Sequence, residues 1–250
     1  MTSMDRFENF CCRFEEVLEQ PPSVLHRIEA GRKLLSELTA QMDWYREFLG
    51  RMVLDREFRE RQKPSLWPNE FTLYRSPSGS FVVLSYIWDA YLSDTIHDHG
   101  SWGIVGTLSG TLLERKFKRI DNGKTEGYAE LEETSLVTMH PGDTIYVLPL
   151  NEGIHRMENP TDCPGISINV YGKTMRRGYT QFFYPDKKAV IRAYPPKAAR
   201  EVMAIKVLGA TGEPWAGDIL KQLLDQEPSA PVRQECELAL RKLNERLSSC

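Results

Sequence analysis

The strongest constraint on how this chain can fold lies between residues 71 and 171, where short runs rich in Val, Ile, Tyr and Phe are separated by Gly, Pro, Asp and Asn. The runs occupy 81–88, 102–108, 112–117, 131–139, 144–148 and 165–171. Each is too short for an ordinary buried helix and is rich in β-branched and aromatic residues, so each reads as a strand. Several short strands with regular turn signals predict an antiparallel sandwich or barrel. Pro77–Ser78–Gly79, Ser109–Gly110, Asp121–Asn122–Gly123 and Pro141–Gly142–Asp143 are expected to be hairpin turns.

Helical patterns flank this zone. From residue 5 to 62, Leu34, Leu35, Leu38 and Met42, then Trp44, Tyr45, Phe48, Leu49, Met52 and Val53, recur at three and four spacing, with Pro21, Pro22 and Pro64 as breaks. These helices are expected to pack on the outside of the β zone. From about Pro195 the chain is helical again, and Ala204, Val207 and Leu208 correspond to Cys236, Ala239 and Leu240, 32 positions on. That correspondence weakly resembles HEAT-like helical repeats, and an ordinary helical tail is the other reading. Arrays of this kind need about three repeats to bury their faces, so the extension would lean on the barrel or on a protein partner. The expected division is 1–67 for N-terminal helices, 68–194 for a mainly β barrel and 195–250 for a C-terminal helical extension.

Composition removes several function classes. A net charge of −3 over 250 residues gives no global field for nucleic acid or an anionic membrane. The basic run at residues 115–119 alternates with apolar positions and reads as a solvated strand edge. No apolar run approaches the roughly 18–20 residues that span a bilayer, and residues 1–9 lack the apolar core of a signal peptide. The five cysteines are odd in number, scattered and without a CxxC pair, as expected for unpaired thiols in the cytoplasm.

Histidines carry the chemistry. There are five, His26, His97, His99, His140 and His155. His97 and His99 stand at i and i+2, so an extended strand turns both to one face, as a β-built metal site requires. His155, in GIHRMEN, supplies a third imidazole from a second strand-like segment. Three neutral imidazoles make a facial cap that leaves positions open for other ligands. His140, beside Pro141, reads as a surface turn residue, and His26 has no assigned role. Asp98 points away from its two neighbours, which suits a supporting role better than ligation. Residues 165–171 have period two: Ser167, Asn169 and Tyr171 share one face, and Ile166, Ile168 and Val170 the other. The polar face reads as site lining, with a solvated strand face as the alternative. Trp88 and Trp102 read as barrel packing.

At these residues the chain resembles a known group. IHDHGSWGIVGTLSG at 96–110 resembles the first cupin motif, and PGDTIYVLPLNEGIHRMEN at 141–159 the second. IHDHGSWG and GIHRMEN resemble more closely the thiol dioxygenases, the group of cysteine dioxygenase and mercaptopropionate dioxygenase. The resemblance spans roughly residues 71–171. It implies a cupin (double-stranded β-helix) barrel in which His97, His99 and His155 bind Fe(II), and a small thiol and O2 become a sulfinic acid. Typical cupins carry a glutamate ligand where this chain has Gly103; three histidines without a carboxylate is the thiol dioxygenase pattern. With neutral ligands, Fe(II) keeps its full charge and lowers the pKa of a bound thiol.

The resemblance also implies a Ser–His–Tyr relay on the strand at 165–171. Ser167 and Tyr171 match its serine and tyrosine, whereas Asn169 replaces the histidine. An amide can orient the phenol but cannot relay a proton by changing charge. Tyr171 is therefore expected to be the donor to bound oxygen or substrate, supported by Ser167 and Asn169. Some relatives crosslink the tyrosine to a cysteine. Gly103 occupies that position, so Tyr171 should be uncrosslinked. The substrate anchor falls on Glu70 or Phe71, neither of which suits a carboxylate. Arg75 is a candidate carboxylate partner, as are Arg176 and Arg177. Glu70 would favour an amine-bearing thiol. The rival readings are another metal-dependent cupin enzyme (an isomerase or a hydrolase) and a non-catalytic small-molecule sensor whose C-terminal helices meet a partner.

Overall fold

The computed structural model describes residues 3–19, 23–176 and 178–248. Two compact units are present: one holds the N-terminal helices through Lys63, Trp67–Arg176 and Thr180–Ile191, the other Pro64–Leu66, Gly178, Tyr179 and the chain from Arg192 onward. The N-terminal helices thus share a unit with the barrel, and the second unit takes in the end of the last strand before its first helix begins at Pro196.

In the first unit the helices are α1 (Ser3–Glu19), α2 (Val24–Thr39), α3 (Arg46–Leu54) and α4 (Arg56–Glu60). The strands are β1 (Glu70–Arg75), β2 (Phe81–Trp88), β3 (His97–His99), β4 (Gly103–Ser109), β5 (Leu112–Arg119), β6 (Leu131–Met139), β7 (Thr144–Val147), β8 (Leu150–Glu158), β9 (Gly165–Gly172), β10 (Thr180–Tyr184) and β11 (Ala189–Ala193). They form two antiparallel sheets, ordered β1-β2-β9-β4-β7 and β11-β10-β3-β8-β5-β6. This is the expected cupin barrel, and chain crossings between the two sheets build it. Ser109–Gly110 and Pro141–Gly142 are such crossings rather than hairpin turns, because β4 and β7 lie in one sheet and β5 and β6 in the other. The other two turns do join paired strands, β1 to β2 and β5 to β6. Turn residues mark a reversal, but only pairing decides which sheet the next strand joins.

The period of two in β9 sorts its side chains between two cores. Ile166, Ile168 and Val170 pack with Phe14, Leu35, Trp44 and Tyr45 of the helical layer. Tyr171 turns inward, onto the cluster of Leu84, Tyr86, Trp88, Val105 and Met157. Helices cover one face of this sheet, so β9 is buried on both faces rather than half-solvated. Trp102 packs on the helical side with Phe14, as expected of a packing residue. The basic run at 115–119 departs from the solvated edge expected of it. β5 lies between β8 and β6, and its charges are paired, Arg115 with Glu158 and Glu133, and Arg119 with Asp121.

The second unit holds α5 (Pro196–Ala210), α6 (Pro214–Asp225) and α7 (Ala230–Ser248) around Val202, Ile205, Ala216, Leu220, Val232, Cys236, Ala239 and Leu243. The 32-residue correspondence is not its packing register. Ala204 and Val207 are exposed, whereas their counterparts Cys236 and Ala239 are buried. The buried positions of α5 are Val202, Ile205 and Gly209, and Gly209 lets α7 approach, since a Cβ there would stand 2.7 Å from the Ala239 Cα. Repetition of small and apolar residues does not specify which face they occupy. Cys11, Cys12, Cys163 and Cys236 are free thiols, and Cys250 lies outside the described residues. Among the described residues no helix is long and apolar enough to cross a membrane.

Candidate metal centre

β3 is only three residues long, but it is held on both sides, by β8 and β10. Its register places His97 directly across from His155 of β8. Cross-strand partners face the same side of a sheet, and His99, two residues on, joins them. The three rings meet at centroid separations of 4.8–4.9 Å, with one nitrogen from each ring inside a span of 4.8 Å. Gly153 admits this path of β8: a Cβ there would lie 1.8 Å from the Leu148 carbonyl oxygen. Asn159 pins the strand's end, its amide donating to the carbonyls of Trp88, Asp89 and Cys163.

The outer ring nitrogens are occupied. His97 Nδ1 donates to the Thr95 carbonyl at 2.8 Å, and His155 Nδ1 to Glu114 at 2.9 Å. Those protons leave the Nε2 lone pairs of His97 and His155 for the centre. Between His99 and His155 the Nε2 atoms are 2.8 Å apart. Two lone pairs at that distance repel, so a proton or a metal cation must lie between them. Burial holds His97 and His99 in the neutral, ligating form: the His97 pKa is lowered to about 3, and that of His99 falls well below the usual value, the neighbouring imidazoles adding to the effect. Two carboxylates lie beside the outer ring nitrogens. Asp94 is 3.7 Å from His97 Nδ1 and Glu114 meets His155 Nδ1. At the position of the usual glutamate, Gly103 leaves room for the Tyr171 ring, 2.5 Å from where its Cβ would be. The donor set fits a metal ion held by three histidines, and it is the one such group among the described residues.

A narrow chamber of about 20 Å³ adjoins His97 and His155. Trp67, Tyr86, Trp88 and Tyr171 wall it, with Asn69, Asp94, Met157 and Asn169 between them. Asn169 Nδ2 donates to the Tyr171 hydroxyl oxygen at 3.0 Å, which leaves the phenol's own proton to point elsewhere. Burial pushes the Tyr171 pKa far up, so the group remains a donor. Ser167, on the same strand face, meets a tryptophan of the chamber. It accepts from Trp88 Nε1 at 3.0 Å and so fixes a chamber wall. Trp88 packs in the barrel core, as expected, and also forms that wall.

The candidate anchors separate. Glu70 accepts from the Tyr86 hydroxyl at 2.8 Å and so reaches the chamber through that residue. Arg75 does not line the chamber: it is exposed at the far end of β1, with its guanidinium on Thr72. Arg176 grips buried Asp98 with two 2.5 Å hydrogen bonds on the opposite face, and Gln181 N adds a third to that carboxylate. Arg177 lies outside the described residues. His140 and His26 are exposed and away from the centre. Sequence reasoning missed Glu114, Asp94, Trp67, Asn69 and Tyr86. Glu114 left one signal, a carboxylate on the inward face of an alternating strand, but only the β5–β8 register puts it behind His155.

No family model matches the chain. Solved structures that it resembles include a cupin domain of an XRE family transcriptional regulator from Enterobacter cloacae, at 17% identity over 41% of this chain and 93% of that one, with a TM-score of 0.29. A cupin 2 conserved barrel domain protein from Salinispora arenicola matches at 19% identity over 48% and 85%, with a TM-score of 0.32. A sugar phosphate isomerase of the cupin superfamily from Silicibacter pomeroyi matches at 17% identity over 53% and 86%, with a TM-score of 0.33. By its own strand order and side chains, this chain is a cupin-type barrel with a buried His97, His99 and His155 group that could hold a metal ion.

Proposed function

We propose that the protein is an Fe(II)-dependent thiol dioxygenase that converts a small thiol and O2 to a sulfinic acid. The observation that carries this reading is the convergence of three buried imidazoles with no carboxylate among them. His97, His99 and His155 would hold the iron, which when bound would supply the charge that acidifies a thiol and a redox-active centre through which the thiol sulfur, itself oxidised, reduces O2. Glu114 and the Thr95 carbonyl hold the outer protons of two of these rings, so their lone pairs stay aimed inward. The aromatic walls narrow the space and would leave little freedom to a small ligand. Tyr171 offers a hydroxyl proton beside the centre, stacked on His99 at 5.4 Å and oriented by Asn169. The test is an oxygen-electrode screen of iron-loaded protein against small thiols, with the sulfinate identified by mass. Thiol-dependent uptake is expected, and His155→Ala should remove both iron binding and uptake. Uptake that survives that substitution would reject the site.

A further inference from the structure

We propose that Tyr86 and Glu70 form the route by which the proton of a bound thiol leaves the chamber for solvent. The inference deepens the function proposed above and rests on it. That reaction releases a proton. A neutral thiol and O2 give a sulfinate anion and H+, because sulfinic acids are ionised near neutral pH. The S–H bond breaks, two S–O bonds form, and the sulfur gives up the four electrons that the two oxygen atoms take. The thiol proton departs as the sulfur becomes a thiolate, and it does so between Trp67, Tyr86, Trp88 and Tyr171. A positive charge left there without a partner is costly, so the chamber needs a proton acceptor with a path outward.

Most of the polar groups that line it do not provide one. Asn169 cannot take up a proton near neutral pH. Asp94 accepts from the Met157 backbone N–H with one oxygen and turns the other toward His97 Nδ1. Tyr86 differs. It is buried on β2, and the β1–β2 register sets it directly across from Glu70. Cross-strand partners share a face, and the Tyr86 hydroxyl donates to the Glu70 carboxylate at 2.8 Å. β1 is the edge strand of its sheet, and Glu70 is partly exposed. An ionised carboxylate only accepts hydrogen bonds, so the Tyr86 proton already points outward and the phenol oxygen is left to accept from the chamber. The thiol proton passes to that oxygen as the Tyr86 proton passes to Glu70, which then gives it to water. Tyr86 ends as it began, a neutral phenol. Burial disfavours a phenolate there, which favours moving both protons together. Tyr171 is hydrogen-bonded to Tyr86 and stacks on His99, and so extends the chain toward the metal ligands.

The experiment mixes the full chain, loaded with cobalt(II) and free of oxygen, with 2-mercaptoethanol near neutral pH, where this probe is almost wholly thiol. Thiolate formation is followed by its charge-transfer absorption on cobalt, and proton release by an indicator dye. The two signals should rise together in the unsubstituted protein. Glu70→Gln and Tyr86→Phe, which keep the side-chain volume, should each slow both by about tenfold or more, as loss of a positioned proton acceptor does. Glu70→Ala should be slow as well and should recover when formate, a small carboxylate, is added. A merely structural role would not give that recovery. Unchanged rates in Glu70→Gln and Tyr86→Phe would overturn the proposal, as would a slow Glu70→Ala that formate does not restore. If the rates are unchanged while the iron-loaded protein still consumes O2 with thiols, the exit route alone fails. If no thiol gives the absorption band or O2 uptake, the dioxygenase reading fails and the route falls with it.

Discussion

Glu114→Gln tests how the protein holds its histidines ready for a metal. The Glu114 carboxylate is fully buried. One oxygen takes the His155 Nδ1 proton at 2.9 Å; the other has no hydrogen-bond partner and faces the Lys116 ammonium at 3.7 Å. Glutamine keeps the volume and removes the charge. If its oxygen faces His155, its NH2 is left pointing at a cation. If its NH2 faces His155, two donors meet, and the ring is driven to the tautomer that places the proton on Nε2, where the metal would bind. Both arrangements weaken the ligand. Loss of a partner behind a ligating histidine typically costs tenfold to a hundredfold in metal affinity, which is about 1.4–2.8 kcal/mol. The assay is a cobalt(II) competition titration against a chromophoric chelator. Thermal melting of the metal-free variant serves as the folding control. Affinity within about threefold of the unsubstituted protein would refute the argument that Glu114 sets the His155 tautomer.

Other substitutions probe the frame around the centre. Gly153→Ala would place a Cβ 1.8 Å from a backbone carbonyl oxygen, and since backbone cannot swing aside, the loss should reach the upper end of overpacking, about 3 kcal/mol. Thermal melting should show this as a fall of roughly 6–12 °C, and an unchanged midpoint would contradict the path of β8. Gly103→Ala would press on the Tyr171 ring and break its bond to Asn169. At full metal loading it should lower thiol-dependent O2 uptake more than it lowers metal affinity. In the helical unit, burial alone would raise the Glu235 pKa, but hydrogen bonds from Tyr194 and Arg192 outweigh it and hold the carboxyl below its usual value. Its stabilising contribution is therefore complete above about pH 4.5 and is lost as pH falls below that value. Urea unfolding followed across this range should show the decline, and Glu235→Gln should flatten it.

The sequence by itself determined the strand content, the metal-ligand candidates and the polar face of β9. Each follows from spacing within one segment: HDH can present two imidazoles to one face only if extended, and the alternation in 165–171 separates Tyr171 and Asn169 from the isoleucines. The tertiary structure decided what depends on register between segments distant in the chain. Pairing of β5 with β8 brings Glu114 to His155 across 41 positions, and pairing of β2 with β9, with the segment before β1 packed beside them, brings Trp67, Tyr86 and Tyr171 around one space. The same dependence explains the differences from sequence expectation. Arg75 has the chemistry of a carboxylate anchor but sits at the far end of its strand, Arg176 is drawn to Asp98, and two of the four turns cross between sheets. Side-chain periodicity is a local property of the backbone; which surfaces then meet is set by hydrogen-bond pairing and burial over the whole domain.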